Sequence, residues 1–255
     1  MPFKLTKIQG SRLLVLVLLL LPLFAPAEQA KPKYGPEAAV LSDSHDYFQR
    51  VPAPDYWAIA PYYLPQFNDK ACSVATVAMI VNATRAGMRL TSDEKLATQQ
   101  ELLQRARSRL WKEAVGSHGA GVSLDQLGEL LAESLRAYGK TAQVEVVHVE
   151  DESPETKKKL QRTLNENEKS AKDFVIANFL QGVYTGDAMA GHIAPVGAYD
   201  VKKRRVLIMD PDREWYEPYW VSEETFLAGM FTKDSKSGKS RGYIFVRLQE
   251  SKGSP

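Results

Sequence analysis

Residues 66–85, QFNDKACSVATVAMIVNATR, decide the fold, and they contain Cys72, the only cysteine of the chain. After Cys72, valine and alanine recur at positions 74, 77, 78 and 81, which is the i, i+3, i+4, i+7 spacing of a helix. Apolar residues fill most of the other positions, so this helix is predicted to be buried on nearly all sides. Cys72 would then lie in the first turn, where unpaired backbone N–H groups and the helix dipole favour an anion.

Cys72 has two interpretations. A lone cysteine in an apolar stretch is most often an inert core residue. A thiol at a helix start, however, is favoured as the thiolate, which is the nucleophilic form. In an oxidising compartment an unpaired cysteine cannot form an internal disulfide, and it is then worth considering as a free reactive group.

The N-terminus predicts export. Three basic residues precede the wholly apolar residues 13–21, and Ala25-Pro26-Ala27 is a small-x-small cleavage site. We therefore expect residues 1–27 to be a cleaved signal peptide and the protein to be periplasmic, with no stable membrane insertion after cleavage. The alternative is an uncleaved anchor, although the apolar run is shorter than the roughly 20 residues that span a bilayer.

Composition is that of an ordinary globular protein. The chain has 255 residues, of which 44% are apolar and 25% charged, and this length favours one large domain or two small ones. The formal net charge of +2 depends on basic residues in the predicted signal. Such a balance indicates no nucleic-acid partner.

The remaining pattern predicts helices first and a sheet later. Residues 28–60 are rich in proline and read as an irregular arm. A capping-box pattern at Thr91 starts an amphipathic helix to about Val115, with leucines at 96, 103 and 110 and with Leu102 and Ala106 beside them. A second box at Ser123 starts another helix. Charged residues after Ser153 form a third helix. Strands are expected at residues 141–149, 174–179, 192–199, 205–209 and 242–248. This order indicates an α+β fold with an antiparallel sheet.

A nucleophilic thiol needs a base, and the base needs an acceptor that orients it. His192 opens one predicted strand and Asp210 ends the next. Strands joined by a short turn run antiparallel, so these two residues should be neighbours. Asp187 and Asp200 are the rival acids. Gln66 could supply an oxyanion donor beside the Cys72 backbone N–H.

Four segments in order match one family. They are QFNDKACSVATVAMIVNA (66–83), GHIAPVGAY (191–199), LIMDPDR followed by PYWV (207–213 and 218–221) and GKSRGY (238–243). Over roughly residues 62–248 the sequence resembles the phytochelatin synthases. The resemblance implies a papain-like thiol-peptidase fold over residues 61–250, with a helical N-terminal lobe that bears the cysteine and a C-terminal antiparallel sheet.

The resemblance also implies a reaction. Cys72 would attack the Cys–Gly amide of glutathione and hold γ-Glu-Cys as a thioester, with His192 as base and acid, Asp210 as its orienter and Gln66 as oxyanion donor. Another glutathione, its cadmium or zinc thiolate, or water would take the acyl group, which places the activity in heavy-metal detoxification. Acylation would need no cofactor. Arg213 and Gly191 are the expected substrate-binding residues, and no metal ligands are predicted.

Three residues depart from the family pattern. Ser73 follows the nucleophile where glycine is usual, Ala194 stands where serine is common, and Asp212 replaces a small residue beside Arg213. No cysteine follows Cys72, so the Cys-rich C-terminal domain of the plant enzymes is not expected here. These departures bear on the acceptor site and the metal response more than on thioester chemistry.

Other functions stay open at this point. One is a secreted papain-like or bacteriocin-leader-type cysteine peptidase that acts on ordinary peptides. Another is a thiol- or metal-binding module, but His45, His118, His148 and Cys72 show no zinc-site spacing. A third is an inactive family member retained for partner binding. Transfer versus hydrolysis is undecided, and so is a homodimer.

Overall fold

A computed structural model describes residues 32–36, 38–88, 90–105 and 109–249. The predicted signal peptide, residues 1–27, lies outside them, so cleavage and export stay predictions. The α-helices are α1 (Pro54–Ile59), α2 (Cys72–Ala83), α3 (Gln99–Arg105), α4 (Arg109–Ala114), α5 (Leu124–Ala137), α6 (Pro154–Asn167), α7 (Gln181–Thr185) and α8 (Glu223–Met230). Short 3-10 helices cover Asp46–Gln49 and Ala60–Tyr62. The strands are β1 (Ala39–Val40), β2 (Ala142–His148), β3 (Asp173–Leu180), β4 (Gly191–Asp200), β5 (Arg205–Ile208), β6 (Tyr219–Ser222) and β7 (Gly242–Leu248).

The seven strands that the described residues form make one sheet in the order β1-β6-β5-β4-β3-β7-β2, with every neighbouring pair antiparallel. Of the helices before β2, α1, α2 and α5 pack on this sheet, and the predicted α+β class is confirmed. Strands β4 and β5 form the predicted hairpin, in which Val196 faces Ile208 and Asp200 faces Arg205. The residues before β4 and after β5 therefore meet at one end of the hairpin.

Helix α2 lies within the hydrophobic core of the described residues. All twelve of its residues are buried, as the apolar pattern predicted. Its polar side chains are hydrogen-bonded, as buried polar groups must be to avoid a desolvation cost. The Thr76 hydroxyl donates to the carbonyl of Ile193 in β4 at 3.1 Å, and Asn82 exchanges two hydrogen bonds with the backbone of Ala97. The helix is thus held on the sheet and on the loop before α3.

Helices α5, α6 and α8 each begin directly after a serine that caps them. At Ser123 the reciprocal capping box with Gln126 is complete, and α5 begins at the next residue. Ser153 caps α6 and Ser222 caps α8 through a hydrogen bond from the N–H three residues on.

The helix predicted from Thr91 to about Val115 is wrong in its start and its buried face. Thr91 and Glu94 do form a hydrogen bond, but it closes an isolated turn, and α3 begins only at Gln99. Leu96 and Leu110 are 48% and 44% exposed. The large buried side chains of this region are Leu102, which the pattern placed beside those leucines, and Trp111, which it did not mark. Ala97, Ala114 and Val115 are buried as well. Trp111 faces inward because its Nε1–H donates to Ser73 of α2.

Residues 28–60, predicted as an irregular arm, contain regular structure in their described part. Strand β1 pairs with β6 at the sheet edge, and α1 packs against α2 and β4. Tyr47 is buried, its hydroxyl donates to the carbonyl of Tyr199, and its ring contacts Trp220 edge to face. The β1–β6 pairing and the Tyr47 contacts join residues more than 150 positions apart, which a local reading of a proline-rich segment does not include. Strand β6 and helix α7 were likewise not predicted.

Buried carboxyl groups lie where α1 meets the end of α6. Burial, then the charges of Glu168 and Asp173, raises the pKa of Asp55 to about 10. Burial also raises the pKa of Glu168 to about 7, although the Tyr199 N–H that it accepts at 2.6 Å opposes this. Asn167 donates to the Asp55 carboxyl. Because these folded-state pKa values exceed the unfolded ones, the folded state binds more protons, and stability falls as pH rises through the interval between them.

Replacing Glu168 by Gln should therefore flatten the loss of stability between about pH 4.5 and 7, since the amide keeps the acceptor for Tyr199 and cannot ionise. The free energy of unfolding of Glu168→Gln minus that of wild type should increase by about 1–3 kcal/mol between pH 4.5 and pH 8. Urea denaturation at both pH values measures this. Glu150→Gln, at an exposed position, is the control. A Glu168→Gln curve parallel to wild type would contradict the assignment.

Candidate active site

Cys72 is the first residue of α2 and is 7% exposed. The turn before it is closed by Asn68, whose side chain accepts from Lys70 N at 2.7 Å and whose carbonyl accepts from Ala71 N at 3.0 Å. The Asn68 amide also donates to the carbonyl of Val115. The thiol is therefore presented from a fixed turn at a helix N-terminus, the place where the helix dipole favours an anion.

The sheet brings His192 to this thiol. His192 is the second residue of β4, and Ile193 beside it accepts the Thr76 hydrogen bond from one turn further along α2. The Cys72 thiol lies close enough to the His192 imidazole to raise its pKa. Phe179, opposite His192 on β3, contacts the imidazole edge to face with ring centroids 5.6 Å apart. The ring is thus held from the side.

Asp210 contacts the Nε2 atom of the imidazole. His192 Nε2 and Asp210 Oδ1 are 2.6 Å apart, and both side chains are buried. Oδ1 also accepts from Asp212 N at 2.8 Å, while Oδ2 accepts from the Tyr219 hydroxyl at 2.9 Å. The expectation that the β4–β5 hairpin makes His192 and Asp210 neighbours is confirmed.

The electrostatics of this pair favour the charged forms. Burial alone would lower the pKa of His192, but Asp210 and then Cys72 raise it well above its ordinary value. Burial opposes ionisation of Asp210 as well, yet His192, the Asp212 N–H and the Tyr219 hydroxyl lower its pKa. A charged imidazolium beside a thiol stabilises the thiolate by direct electrostatic attraction.

The rival acids have other partners. Asp187 accepts from Tyr216 OH at 2.9 Å and pairs with Lys33 at 3.1 Å. Asp200, at the opposite end of the hairpin, accepts from the backbone N–H groups of Lys202 and Lys203. Neither carboxylate contacts the imidazole in the described residues.

Gln66 lies near the site, but the structure leaves its proposed role open. Its backbone N–H donates to the carbonyl of Pro211 at 2.8 Å, which joins the segment before Cys72 to the residue after Asp210. Its side-chain oxygen is buried without a hydrogen-bond partner among the described residues. Oxyanion stabilisation by Gln66 stays a prediction.

Arg213 lines a cleft of about 210 Å³ next to Gln66. Its guanidinium lies over the Tyr63 ring at 4.6 Å, and Nη1 donates to the Tyr216 carbonyl at 2.9 Å. In the described part of the chain no carboxylate pairs with it. The guanidinium therefore remains able to bind an anion.

Gly191 lies against the Arg241 guanidinium, and its expected contact with substrate stays a prediction. A Cβ at this position would come within 2.7 Å of Arg241 Nη2, so the absence of a side chain makes room for that guanidinium. Arg241 is buried, its Nε has no hydrogen-bond partner, and none of the described carboxylates lies in ion-pair distance of it. Burial lowers its pKa. A buried cation is costly unless it is paired, and the partners here are the Lys233 carbonyl, which accepts from Nη1, and the charge of Asp234.

Sequence reasoning missed Arg241, although the GKSRGY segment contains it. The sheet explains its position. Strand β3 lies between β4 and β7, with Phe179 facing His192 and Asn178 facing Gly242. Arg241, the residue before β7, therefore lies beside Gly191, although the two are 50 positions apart in the chain.

Two of the three departures from the family pattern are accommodated within the core. The Ser73 hydroxyl accepts from Trp111 Nε1 at 3.0 Å, which satisfies both buried polar groups. Ala194 is fully buried in the apolar layer beneath β4. Asp212 lines the same cleft as Arg213.

The other histidines lie apart from Cys72. His45 and His118 are exposed, and His148 contacts Asp125 at 3.0 Å and the carbonyl of Ser240. Within the described ranges no group of three or more His, Cys, Asp or Glu side chains comes together in a way that could hold a metal ion. No described helix has the length and hydropathy needed to cross a bilayer.

A buried thiol at a helix start, followed in the chain by a histidine and an aspartate on an antiparallel sheet, is the arrangement of papain-like α+β proteins. Comparison with known families agrees. The family model described as phytochelatin synthase matches residues 41–243. The chain belongs to the phytochelatin synthase family.

Curated relatives carry a matching name. The Schizosaccharomyces pombe glutathione gamma-glutamylcysteinyltransferase is 39% identical over 62 residues, which are 24% of this chain and 14% of that protein. Glutathione gamma-glutamylcysteinyltransferase 1 of Arabidopsis thaliana is 31% identical over 72 residues, or 28% and 15% of the two chains. Enzyme 3 of Lotus japonicus is 38% identical over 56 residues, or 22% and 12%. The matched stretches therefore span about one seventh of these relatives.

Replacing Asp210 by Asn should lower the pKa of His192 toward its ordinary value, because the amide keeps a hydrogen-bonding oxygen but loses the charge that stabilises the imidazolium. Titration of the His192 ring resonances by NMR measures the change. Asp187→Asn, at the rival acid, should leave the midpoint where it is. An unchanged midpoint in Asp210→Asn would show that this carboxylate does not charge the imidazole.

Proposed function

We propose that this protein is a glutathione γ-glutamylcysteinyltransferase that works through a γ-Glu-Cys thioester on Cys72. The observation that carries the proposal is the series of neighbouring side chains Cys72, His192 and Asp210, in which His192 Nε2 and Asp210 Oδ1 are 2.6 Å apart. Such a series is the means by which enzymes activate a thiol and return its proton to a leaving group. Family membership adds glutathione as the substrate.

In the acylation step the Cys72 thiolate attacks the carbonyl carbon of the Cys–Gly amide of glutathione. The new C–S bond forms, the C–N bond breaks, and the His192 imidazolium gives its proton to the departing glycine nitrogen. Asp210 holds the imidazole in the required tautomer. The Cys72 backbone N–H and the Gln66 amide are the proposed donors to the developing oxyanion. Acylation needs no cofactor in this scheme.

Arg241 is the proposed anion-binding residue for the first glutathione. The γ-glutamyl group keeps a free α-carboxylate, and a guanidinium binds carboxylates through paired hydrogen bonds. The buried Arg241 guanidinium lies beside Gly191, the residue that precedes His192, and offers that interaction there. We assign Gly191 the role of leaving space for this guanidinium.

The thioester is then consumed by a second glutathione, by its metal thiolate, or by water. Attack by a glutathione amine lengthens the chain to a phytochelatin, and attack by water releases γ-Glu-Cys. Cadmium and zinc enter as part of the substrate.

Wild-type protein incubated with glutathione should gain the mass of one γ-Glu-Cys acyl group, and Cys72→Ala should not, because only the thiol can form the thioester. Intact-mass spectrometry measures the adduct. His192→Ala should reduce adduct formation by at least about 100-fold, since general acid–base catalysis contributes on that order. His45→Ala, at an exposed histidine, is the matched control.

Equal adducts in wild type and Cys72→Ala would overturn the proposal. Cleavage of ordinary α-peptides with no reaction on glutathione would favour the papain-like peptidase instead.

Arg241→Gln should raise KM for glutathione about 10- to 100-fold with a smaller change in kcat, because a charged hydrogen bond contributes about 1.5–3 kcal/mol. Gly191→Ala should act in the same direction, since its methyl group displaces the guanidinium. Steady-state kinetics of glycine release measures both, and thermal unfolding checks that the variants are folded. Arg136→Gln, at an exposed position, serves as control. An unchanged KM in Arg241→Gln would remove this residue from substrate binding.

A further inference from the structure

The cleft that Arg213 lines has two walls. One is the turn before α2, with Gln66 and Asp69, and the other is the loop after Asp210, with Asp212 and Arg213. Its volume of about 210 Å³ is sufficient for one amino-acid head group rather than a whole folded partner. Arg241 is not among its lining residues, so a first substrate held by Arg241 leaves this cleft open.

Both walls are attached to the candidate catalytic residues. The Asp212 N–H donates to the same oxygen of Asp210 that contacts His192. On the other wall, the Asn68 carbonyl accepts from Ala71 N, directly before Cys72. A molecule in the cleft therefore lies between the turn that carries the thiol and the loop that carries the acid.

The charges of the cleft are mixed. Asp69, Asp212 and Glu214 are acidic, and Arg213 is the basic residue among those that line it. Asp69 and Asp212 are close enough to influence each other electrostatically. Burial, and then the charge of Asp210, raises the pKa of Asp212. Like charges gathered in a partly buried cleft repel one another, and a bound cationic group relieves that repulsion.

Carboxylates and one guanidinium in the same small cleft match a zwitterion. Carboxylates accept hydrogen bonds from an ammonium group, and the guanidinium fork suits a carboxylate. The γ-glutamyl end of glutathione presents both groups on one carbon atom, since its peptide bond uses the side-chain carboxyl. That end also carries the amine that must attack a thioester to lengthen the chain.

We propose that this cleft is the acceptor site, and that Asp212 with Asp69 selects an acceptor by its α-ammonium group while Arg213 binds the neighbouring α-carboxylate. This inference rests on the proposed function. It assigns Asp212, a departure from the family pattern, as a specificity-determining residue for transfer over hydrolysis.

In the transfer step, the bound α-ammonium group first loses one proton to solvent beside Asp212 and becomes an amine. Its nitrogen attacks the thioester carbon, the C–N bond forms and the C–S bond to Cys72 breaks. The neutral His192 left by glycine release takes the second proton from this nitrogen. The thiolate and imidazolium are thereby restored.

The test is the ratio of transfer product to hydrolysis product at fixed glutathione concentration, read by mass spectrometry alongside the acyl adduct. Asp212→Asn should lower this ratio about tenfold, because it removes the charge that holds the ammonium, while the adduct still forms. Asp69→Asn, on the exposed turn, should lower the ratio in the same direction and provides a second variant. Asp43→Asn, exposed and outside the cleft, should leave the ratio unchanged.

The outcomes separate the two proposals. An adduct that forms in Asp212→Asn and Asp69→Asn with the wild-type product ratio overturns the acceptor-site inference alone. An absent adduct in wild type overturns the proposed function and the inference with it. A lowered ratio in both variants, with the adduct retained, supports both.

Discussion

The structure depends on one constraint, which is that α2 is buried on every side and hydrogen-bonded to β4 through Thr76 and Ile193. A helix without a solvent-facing side cannot rotate or slide without exposing apolar surface, at about 25 cal/mol per Å². Cys72 at its first residue and His192 next to Ile193 are therefore held on elements that move together. The distance between thiol and imidazole is set by core packing rather than by a mobile loop.

The second element of the site is a buried charge pair that is fully hydrogen-bonded. Removing two charges from water is expensive, and their attraction compensates only when the geometry is good and the remaining acceptor sites are filled. Asp210 meets that condition through His192, Tyr219 and the N–H of Asp212. Because Asp212 also faces the cleft, one short loop connects the orientation of the imidazole with the surface that we assign to the acceptor.

Much of the site could be predicted because it depends on short-range rules. The pairing of His192 with Asp210 follows from a hairpin, in which residues at the two open ends must meet. The capping box at Ser123 marks the start of α5 because the hydrogen bonds involved lie within four residues. The same pattern at Thr91 was misleading, since the bond forms there without a helix and the buried side chains nearby are Leu102 and Trp111.

The sequence by itself determined the buried helix with its cysteine and the His192–Asp210 hairpin, because apolar periodicity and adjacent-strand pairing are encoded in neighbouring residues. Its four motifs indicated the family by resemblance. Only the tertiary structure decided that β7 lies beside β3, that Arg241 fills the space above Gly191, and that Asp69 shares a cleft with Asp212. Each of those contacts joins residues at least 50 positions apart. Their approach depends on the packing of the whole sheet and its helices, which no local pattern of residues specifies.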